Sequence, residues 1–296
     1  MSESSTPTSP ATAMRAPLSG LQYAAVGSVA GMFEVCVQQP MMYIKNCVQQ
    51  SRPMSFHPLV MYRGVGVMCA SIAPVSAVQF AVDGVLTTSL RAADVPSSEG
   101  SRILTAATAG VCSSLLSSPA ELVMTLQQHT GHGVQRTIQD VTAAHGVRRL
   151  YRGLPYTCLR EMIWCASYLA LGPVLGEKLH AHFPETFGDA ATASLSQRGA
   201  AAMGGSIGAG LIAVLATQPV DTVKTIMQGN ALDKNALGLV GETRRLWAQG
   251  GIRSMYKGTI PRGVRLIGAV FILSETKKIL EDQCHRYYAA PAAVAA

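Results

Sequence analysis

Six long stretches of mostly apolar residues run along the chain, separated by short polar segments. They cover roughly residues 19–50, 63–91, 101–129, 153–181, 197–229 and 258–285. Each is long enough to cross a bilayer as a helix, which takes about 20 residues. Each also carries polar side chains that lipid does not tolerate on every side of a helix. The pattern predicts an all-α membrane protein of six transmembrane helices, each with one lipid face and one wet face.

Composition agrees with this prediction. Only 14% of the residues are charged and 48% are hydrophobic, whereas a soluble domain carries about 25% charged residues. The net charge is +7, but basic clusters are few, so we expect anionic lipid or anionic solutes as partners and no nucleic acid. The seven cysteines show no metal-ligand spacing, and we expect neither a metal nor a cofactor. Residues 1–18, rich in Ser, Thr and Pro, and the tail 287–296 are predicted to be disordered.

An internal repeat aligns three parts of the chain. Three prolines register the copies: Pro40, Pro119 and Pro219. Each follows a glycine and precedes a glutamine by nine residues: Gly31 and Gln49, Gly110 and Gln128, Gly210 and Gln228. Each copy later holds an aromatic-basic-Gly triplet: Tyr62-Arg63-Gly64, Tyr151-Arg152-Gly153 and Tyr256-Lys257-Gly258. The chain is therefore three tandem two-helix repeats, at 19–95, 96–190 and 191–286.

The repeated signature is Px[DE]xx[KR], then a glutamine, then the triplet. In triplicate over about 300 residues it resembles the mitochondrial carrier family, from about residue 20 to residue 285. The resemblance implies a monomeric bundle with pseudo-three-fold symmetry around a central cavity, in the mitochondrial inner membrane. It also implies a secondary transporter that works by alternating access, usually as an exchanger.

The repeated prolines and the charges after them suggest a gate. A proline inside a helix removes a hydrogen bond and kinks it, so we expect Pro40, Pro119 and Pro219 to bend three helices inward. An acid and a base one turn apart lie on one side of a helix. The family uses such charges as a ring of ion pairs on the matrix side. The residues here are Lys45, Glu121, Asp221 and Lys224, with Gln49, Gln128 and Gln228 expected as braces.

The ring is incomplete. Met42 replaces the acid of the first copy and Met124 the base of the second. The family's cyclic pairing implies that Lys45–Glu121 survives. Asp221 then faces Met124 and Lys224 faces Met42, unless Asp221 and Lys224 pair along their own helix. We predict a matrix gate with fewer ionic bonds.

Charges in the middle of a membrane helix indicate function. Nine residues after each triplet aromatic stand the family's substrate contact positions, Ser71, Arg160 and Arg265. Arg160 followed by Glu161 resembles the amino-acid and carnitine carriers. The two arginines can each grip a carboxylate, and Glu161 can meet an ammonium group or carry a proton. A structural Arg160–Glu161 pair is the alternative. Four further polar residues in the apolar helices are candidates to line the cavity: Glu34, Gln38, Gln79 and Asp83.

The triplets stand at predicted helix starts, which attract anions. The resemblance implies cardiolipin binding by Arg63, Gly64, Arg152, Gly153, Lys257 and Gly258; the alternative is a plain helix start with an interfacial aromatic. Small residues four apart should let helices pack closely: Gly27 and Gly31, Ala106 and Gly110, Ser206 and Gly210. The first copy is short between Pro40 and Tyr62, so its surface helix should be reduced.

The family's second gate is mostly absent. Glu275 and Lys278 are its one remnant, while Gly84 and Pro173 occupy two acid positions, so we expect a weak or diverged cytoplasmic gate. No nucleophile–base set or metal cluster indicates an enzyme. We predict a transporter of a small anionic or zwitterionic metabolite, an amino acid or carboxylate. The alternatives are a di- or tricarboxylate or keto-acid carrier, and a scaffold that has lost transport.

Overall fold

A computed structural model describes residues 20–94, 98–189 and 192–294 of the chain. The first repeat holds α1 (Gly20–Gln49), α2 (Pro58–Met61) and α3 (Val65–Ala92). The second holds α4 (Glu99–Thr130), α5 (Val134–His145), a 3-10 turn (Val147–Tyr151), α6 (Leu154–Ala166), a π turn (Ser167–Leu171), α7 (Gly172–His182) and α8 (Pro184–Phe187). The third holds α9 (Leu195–Gly229), α10 (Leu239–Met255) and α11 (Thr259–Val294). The described residues contain helices and no strand.

The long helices form a closed ring. Helix α1 packs on α3, α3 on α4, α4 on α6, α7 on α9, α9 on α11, and α11 returns to α1. The interior of the ring is polar, with buried Gln39, Gln49, Gln218 and Gln228. Large apolar side chains such as Phe33, Leu115 and Leu215 stand exposed on the outside. This inside-out distribution suits a bundle whose outer solvent is lipid.

By length and composition, three helical spans in the described residues are apolar enough to cross a membrane: Pro58–Ala92, Glu99–Thr130 and Leu195–Gly229. The predicted fourth span is divided by the π turn. The predicted sixth begins with Arg262 and Arg265. Polar residues on the inward face lower the hydropathy of a helix whose outer face is still apolar.

The ends of the helices follow from local sequence. Ser98 caps α4 by accepting a hydrogen bond from the Ser101 backbone N–H at 3.1 Å, and Ser194 and Gln197 form a capping box at the start of α9. The prediction of a reduced first surface helix is confirmed, since α2 has 4 residues against 12 in α5 and 17 in α10, which is kinked at Gly250 and Gly251. The last helix reaches Val294, so residues 287–294 of the tail expected to be disordered are helical. The predicted disordered segment 1–18 lies outside the described residues.

Three of the small-residue positions bring helices together within a repeat. A Cβ on Gly31 would lie 3.0 Å from Ile72 Cγ2, one on Gly110 would collide with the Glu161 carbonyl oxygen, and one on Gly210 would lie 2.7 Å from Leu266 Cδ2. Gly27 differs from the expectation, because no described atom lies within 4 Å of the Cβ position there. Pro40, Pro119 and Pro219 each lie inside one continuous helix, and the bends expected at them stay a prediction.

Candidate gate and substrate site

The charged residues that follow the three prolines meet at the centre of the bundle. Helices α1, α4 and α9 contribute them, and all four are buried: Lys45, Glu121, Asp221 and Lys224. They line a small cavity together with Met42, Asn46, Met124, Thr125, Arg160, Thr225, Gln228, Arg262 and Arg265. The predicted gate and part of the predicted substrate site therefore form one wall.

Two ion pairs join the helices at this predicted gate. Lys45 Nζ lies 2.8 Å from Asp221 Oδ2, which joins α1 to α9. Lys224 Nζ lies 2.5 Å from Glu121 Oε2, which joins α9 to α4. Lys224 Nζ is also 3.7 Å from Asp221 Oδ1 on its own helix, so the pairing along α9 is secondary to the pairing between helices.

The expected Lys45–Glu121 pair is wrong. The spacing after the proline shows that the acid and the base face different neighbours, but it does not show which neighbour each one faces. The direction of the ring around its axis decides this, and in the structure each base meets the acid of the other adjacent helix. Asp221 and Lys224 therefore both have partners, although we expected them to face methionines.

The two methionines fall at the same junction. The base of α1 pairs with the acid of α9, and the base of α9 pairs with the acid of α4. By the same rotation, the base position of α4, Met124, corresponds to the acid position of α1, Met42. Both line the central cavity. The missing acid and the missing base are thus the two halves of one missing ion pair.

The glutamines behave differently from one another. Gln49 Nε2 donates to Asp221 Oδ2 at 3.0 Å, as expected of a brace. Gln128 Oε1 accepts from Asn46 Nδ2 at 2.7 Å and so links α4 to α1, at the junction that has methionines. Gln228 is buried, and its Nε2 has no partner among the described residues, so no brace is seen there.

Arg160 connects the gate to the predicted substrate site. Its Nη2 donates to Glu121 Oε1 at 2.5 Å and also to Glu161 Oε1. The charges therefore alternate in sign along one continuous series: Lys45, Asp221, Lys224, Glu121, Arg160 and Glu161. A change in what Arg160 binds must alter the electrostatic balance at Glu121.

Of the other predicted contact residues, Arg265 lines the cavity and Ser71 does not. Arg265 lines the cavity, with Nη2 3.5 Å from Glu34 Oε1. Gln79 Nε2 donates to Ser113 Oγ at 3.1 Å and to Glu161 Oε2 at 3.5 Å. Ser71 donates to the Met68 carbonyl oxygen of its own helix at 2.8 Å, and it is not among the cavity residues.

Comparisons with known proteins agree with this geometry. A family model described as "Mitochondrial carrier protein" matches residues 96–181 and 197–284. The chain belongs to the mitochondrial carrier family. Mitochondrial citrate transporter B of Aspergillus niger is 27% identical over 84% of this chain and 89% of its own. Tricarboxylate transport protein A of Danio rerio is 27% identical over 86% of this chain and 77% of its own. A mitochondrial carnitine/acylcarnitine carrier-like protein of Arabidopsis thaliana is 28% identical over 71% of this chain and 73% of its own.

Membership confirms several predictions. This carrier is a multi-pass protein of the mitochondrial inner membrane and transports small-molecule metabolites; it is not an enzyme. Its relatives do not define one substrate. Among the described residues, no group of three or more His, Cys, Asp or Glu side chains is placed to hold a metal ion.

The basic residues of the triplets reach the next repeat of the carrier. Arg152 donates to the carbonyl oxygens of Met227 and Leu237 at 2.8 and 2.6 Å. Lys257 donates to Ser51 Oγ at 3.1 Å, while the Arg63 guanidinium lies beside Gly131. These side chains tie repeats together at the end of the bundle where the second helices begin, and lipid binding at the three helix starts stays a prediction.

The glycines of the triplets have a clear conformational reason. Gly64, Gly153 and Gly258 have φ of +85°, +85° and +82°, in the left-handed region that favours glycine. A Cβ on Gly64 would lie 3.0 Å from Met124 Cα, and one on Gly153 would lie 3.4 Å from Lys224 Cγ. Each second helix thus begins directly against the gate residues of a neighbouring repeat.

Two site residues were missed from the sequence. Asn46 makes the hydrogen bond between α1 and α4. Arg262 lines the cavity and donates to Thr217 Oγ1 at 2.8 Å and to Gln218 Oε1 at 3.1 Å. Arg262 stands one helical turn before Arg265, and this spacing was a usable signal. The second gate stays a prediction, because the side chain of Lys278 lies outside the described residues.

Proposed function

We propose that this carrier exchanges a small carboxylate anion, with di- and tricarboxylates as the leading class. The observation that carries the proposal is the charge of the cavity wall. Its basic residues are Lys45, Arg160, Lys224, Arg262 and Arg265, and its acidic residues are Glu121 and Asp221. Five positive charges less two negative charges leave +3 on the wall, and counting also Glu161 and Glu34, which contact Arg160 and Arg265, leaves +1. This positive excess favours an anion over a cation or a neutral solute.

Arg160 and Arg265 are proposed as the two carboxylate contacts. Both line the cavity, and each holds an acid of the protein in its place, Glu161 and Glu34. A substrate carboxylate can replace those acids, and both of its oxygens can then bind the guanidinium. Two contacts from different helices, α6 and α11, suit a substrate with at least two carboxylates. The citrate and tricarboxylate names of two relatives support the same class.

The path from binding to opening follows from the series of charges. When a substrate carboxylate binds Arg160, the Arg160–Glu121 contact weakens and Glu121 keeps Lys224 alone. The ion pairs of a weakly hydrated cavity hold the matrix side closed, and substrate binding offsets the cost of separating them. Binding energy would thereby be used to move the carrier from one open side to the other.

A zwitterionic amino acid is the second candidate, because Glu161 follows Arg160. In the structure Glu161 is occupied by Arg160 and Gln79, so an ammonium group would have to compete with a guanidinium already in contact. A keto acid with a single carboxylate would use one arginine only. The hypothesis of a scaffold without transport is based on the incomplete gate. The two ion pairs between helices weaken that basis.

Transport by purified protein in liposomes tests the proposal. Liposomes preloaded with citrate, malate, 2-oxoglutarate, glutamate or carnitine are assayed for uptake of the same labelled compound. We expect saturable exchange of a di- or tricarboxylate, lost by at least tenfold in Arg160→Ala and Arg265→Ala. Arg91→Ala, at the exposed end of α3, is the matched control and should transport normally. Exchange of amino acids alone would favour the second candidate, and no saturable exchange of any compound would favour the scaffold.

A further inference from the structure

Two cysteine side chains meet between the helices of the first repeat. The Sγ atoms of Cys36 on α1 and Cys69 on α3 lie 3.8 Å apart. Cys36 is exposed on the outer surface of the bundle, beside exposed Phe33 and Val37. We propose that Cys36 and Cys69 are an oxidation site, at which a reversible disulfide links α1 to α3.

The packing around the pair places the two helices close enough for this bond. Gly31, five residues before Cys36, faces Ile72, three residues after Cys69, with only 3.0 Å between its Cβ position and Ile72 Cγ2. Cys69 Sγ also lies 3.9 Å from the Met32 carbonyl oxygen of α1. Bonded sulfur atoms are about 2.0 Å apart, so the thiols must approach by about 2 Å. Side-chain rotation between helices that are already in contact supplies a movement of this size.

A hydroperoxide is the class of oxidant that fits thiols at a lipid-facing surface. One thiol takes an oxygen atom from the hydroperoxide, which leaves as an alcohol, and becomes a sulfenic acid. The second thiol then attacks that sulfur, the S–S bond forms and water leaves. Two thiols have lost two electrons in total and the hydroperoxide has gained them. A dithiol such as dithiothreitol reverses the change by thiol–disulfide exchange.

The bond would restrain α1 near the gate. Cys36 lies four residues before Pro40 and nine before the gate residue Lys45 on the same helix. A link to α3 holds this part of α1 against its neighbour and also closes a loop in the unfolded chain, which stabilises the folded state. The proposal does not depend on which metabolite the carrier transports.

The test uses the full chain in lipid nanodiscs, treated with tert-butyl hydroperoxide. Free thiols are alkylated, the protein is digested without reduction and peptides are identified by mass spectrometry. We expect a Cys36–Cys69 linked peptide and a rise of about 3 °C in the unfolding temperature, both reversed by dithiothreitol.

Single variants separate this bond from other oxidation. Cys36→Ser and Cys69→Ser should each lose the linked peptide and the temperature shift, and both fold because serine is nearly the same size. Cys158 and its contact Ser114 both lie in the second repeat, so Cys158→Ser should keep the linked peptide and the temperature shift. Alkylated Cys36 and Cys69 after oxidation, or an equal shift in all four proteins, would overturn the proposal.

Discussion

The three junctions of the gate are built in two ways. The α1–α9 and α9–α4 junctions are ion pairs at 2.8 and 2.5 Å between buried charges. The α1–α4 junction has methionines, Met42 and Met124, beside one hydrogen bond between Asn46 and Gln128 at 2.7 Å. An ionic junction is held by directional, long-range attraction, and an apolar one by contact alone.

The comparison shows that the three junctions differ in strength although the fold is pseudo-symmetric. Both ion pairs include α9, because Asp221 and Lys224 stand on that helix. Helix α9 therefore ties down α1 and α4, while α1 and α4 are tied to each other only weakly. We expect the matrix side to separate first between α1 and α4.

The largest effect should come from Glu121→Gln, which removes the ion pair of the α9–α4 junction. Glu121 accepts from both Lys224 and Arg160, so its loss leaves buried Lys224 and partly buried Arg160 each short of a partner. Removing one member of a buried pair costs about 3–5 kcal/mol. We expect a marked fall in unfolding temperature and at least a tenfold loss of exchange in liposomes. Glu99→Gln, in the exposed first turn of α4, is the control, and an equal effect in both would contradict the prediction.

The next effect tests whether the methionine junction is a missing ion pair. Met42→Asp with Met124→Lys should restore the third pair, raise the unfolding temperature and slow exchange by about fivefold, since opening then separates three pairs. Met42→Asp alone should destabilise the carrier, because the acid lacks its base. Met42→Leu with Met124→Leu is the control for the change in side chain. A double variant no more stable than Met42→Asp would show that the two positions do not meet.

A smaller effect tests the hydrogen bond at that junction. Asn46→Ala leaves Gln128 Oε1 without its donor and should cost about 1 kcal/mol in the free energy of unfolding. Exchange should become slightly faster, because the α1–α4 junction then lacks this hydrogen bond. A double-mutant cycle with Gln128→Ala measures the coupling between the two side chains. Strictly additive effects would mean that this bond contributes nothing.

The smallest effect should come from Gln228, for which no bracing hydrogen bond is seen among the described residues. Gln228 Nε2 is buried and has no partner among the described residues, so Gln228→Met should change the free energy of unfolding by less than about 1 kcal/mol. Gln49→Met should cost more, because Gln49 donates to Asp221. Thermal unfolding of both variants side by side measures the difference, and the reverse order would show that Gln228 has a partner.

The fold was predictable because it repeats. Three prolines, three glycines and three triplets fixed the number of helices and their relation before any geometry was known. The glycine positions that bring helices together also followed, apart from Gly27. Such contacts depend on spacing along one helix, and the spacing can be read directly from the sequence.

The partners in the gate were not predictable in the same way. Lys45 could reach the acid of either adjacent helix, and only the direction of the ring places it on Asp221. The link from Arg160 to Glu121 joins α6 to α4 within the second repeat and depends on side-chain direction inside the bundle. Asn46 was missed for the same reason, since nothing in its own repeat marks it as a partner of Gln128.

The correspondence between Met42 and Met124 has a consequence for how the sequence can evolve. Each junction of the ring takes one residue from one repeat and one from another, so neither half can change safely by itself. A chain with only the first substitution would carry a buried base facing a methionine, and a chain with only the second would carry a buried acid facing one. The codons for residues 42 and 124 are therefore expected to change together. When a related gene differs at one of them, the residue at the other position should be checked as well.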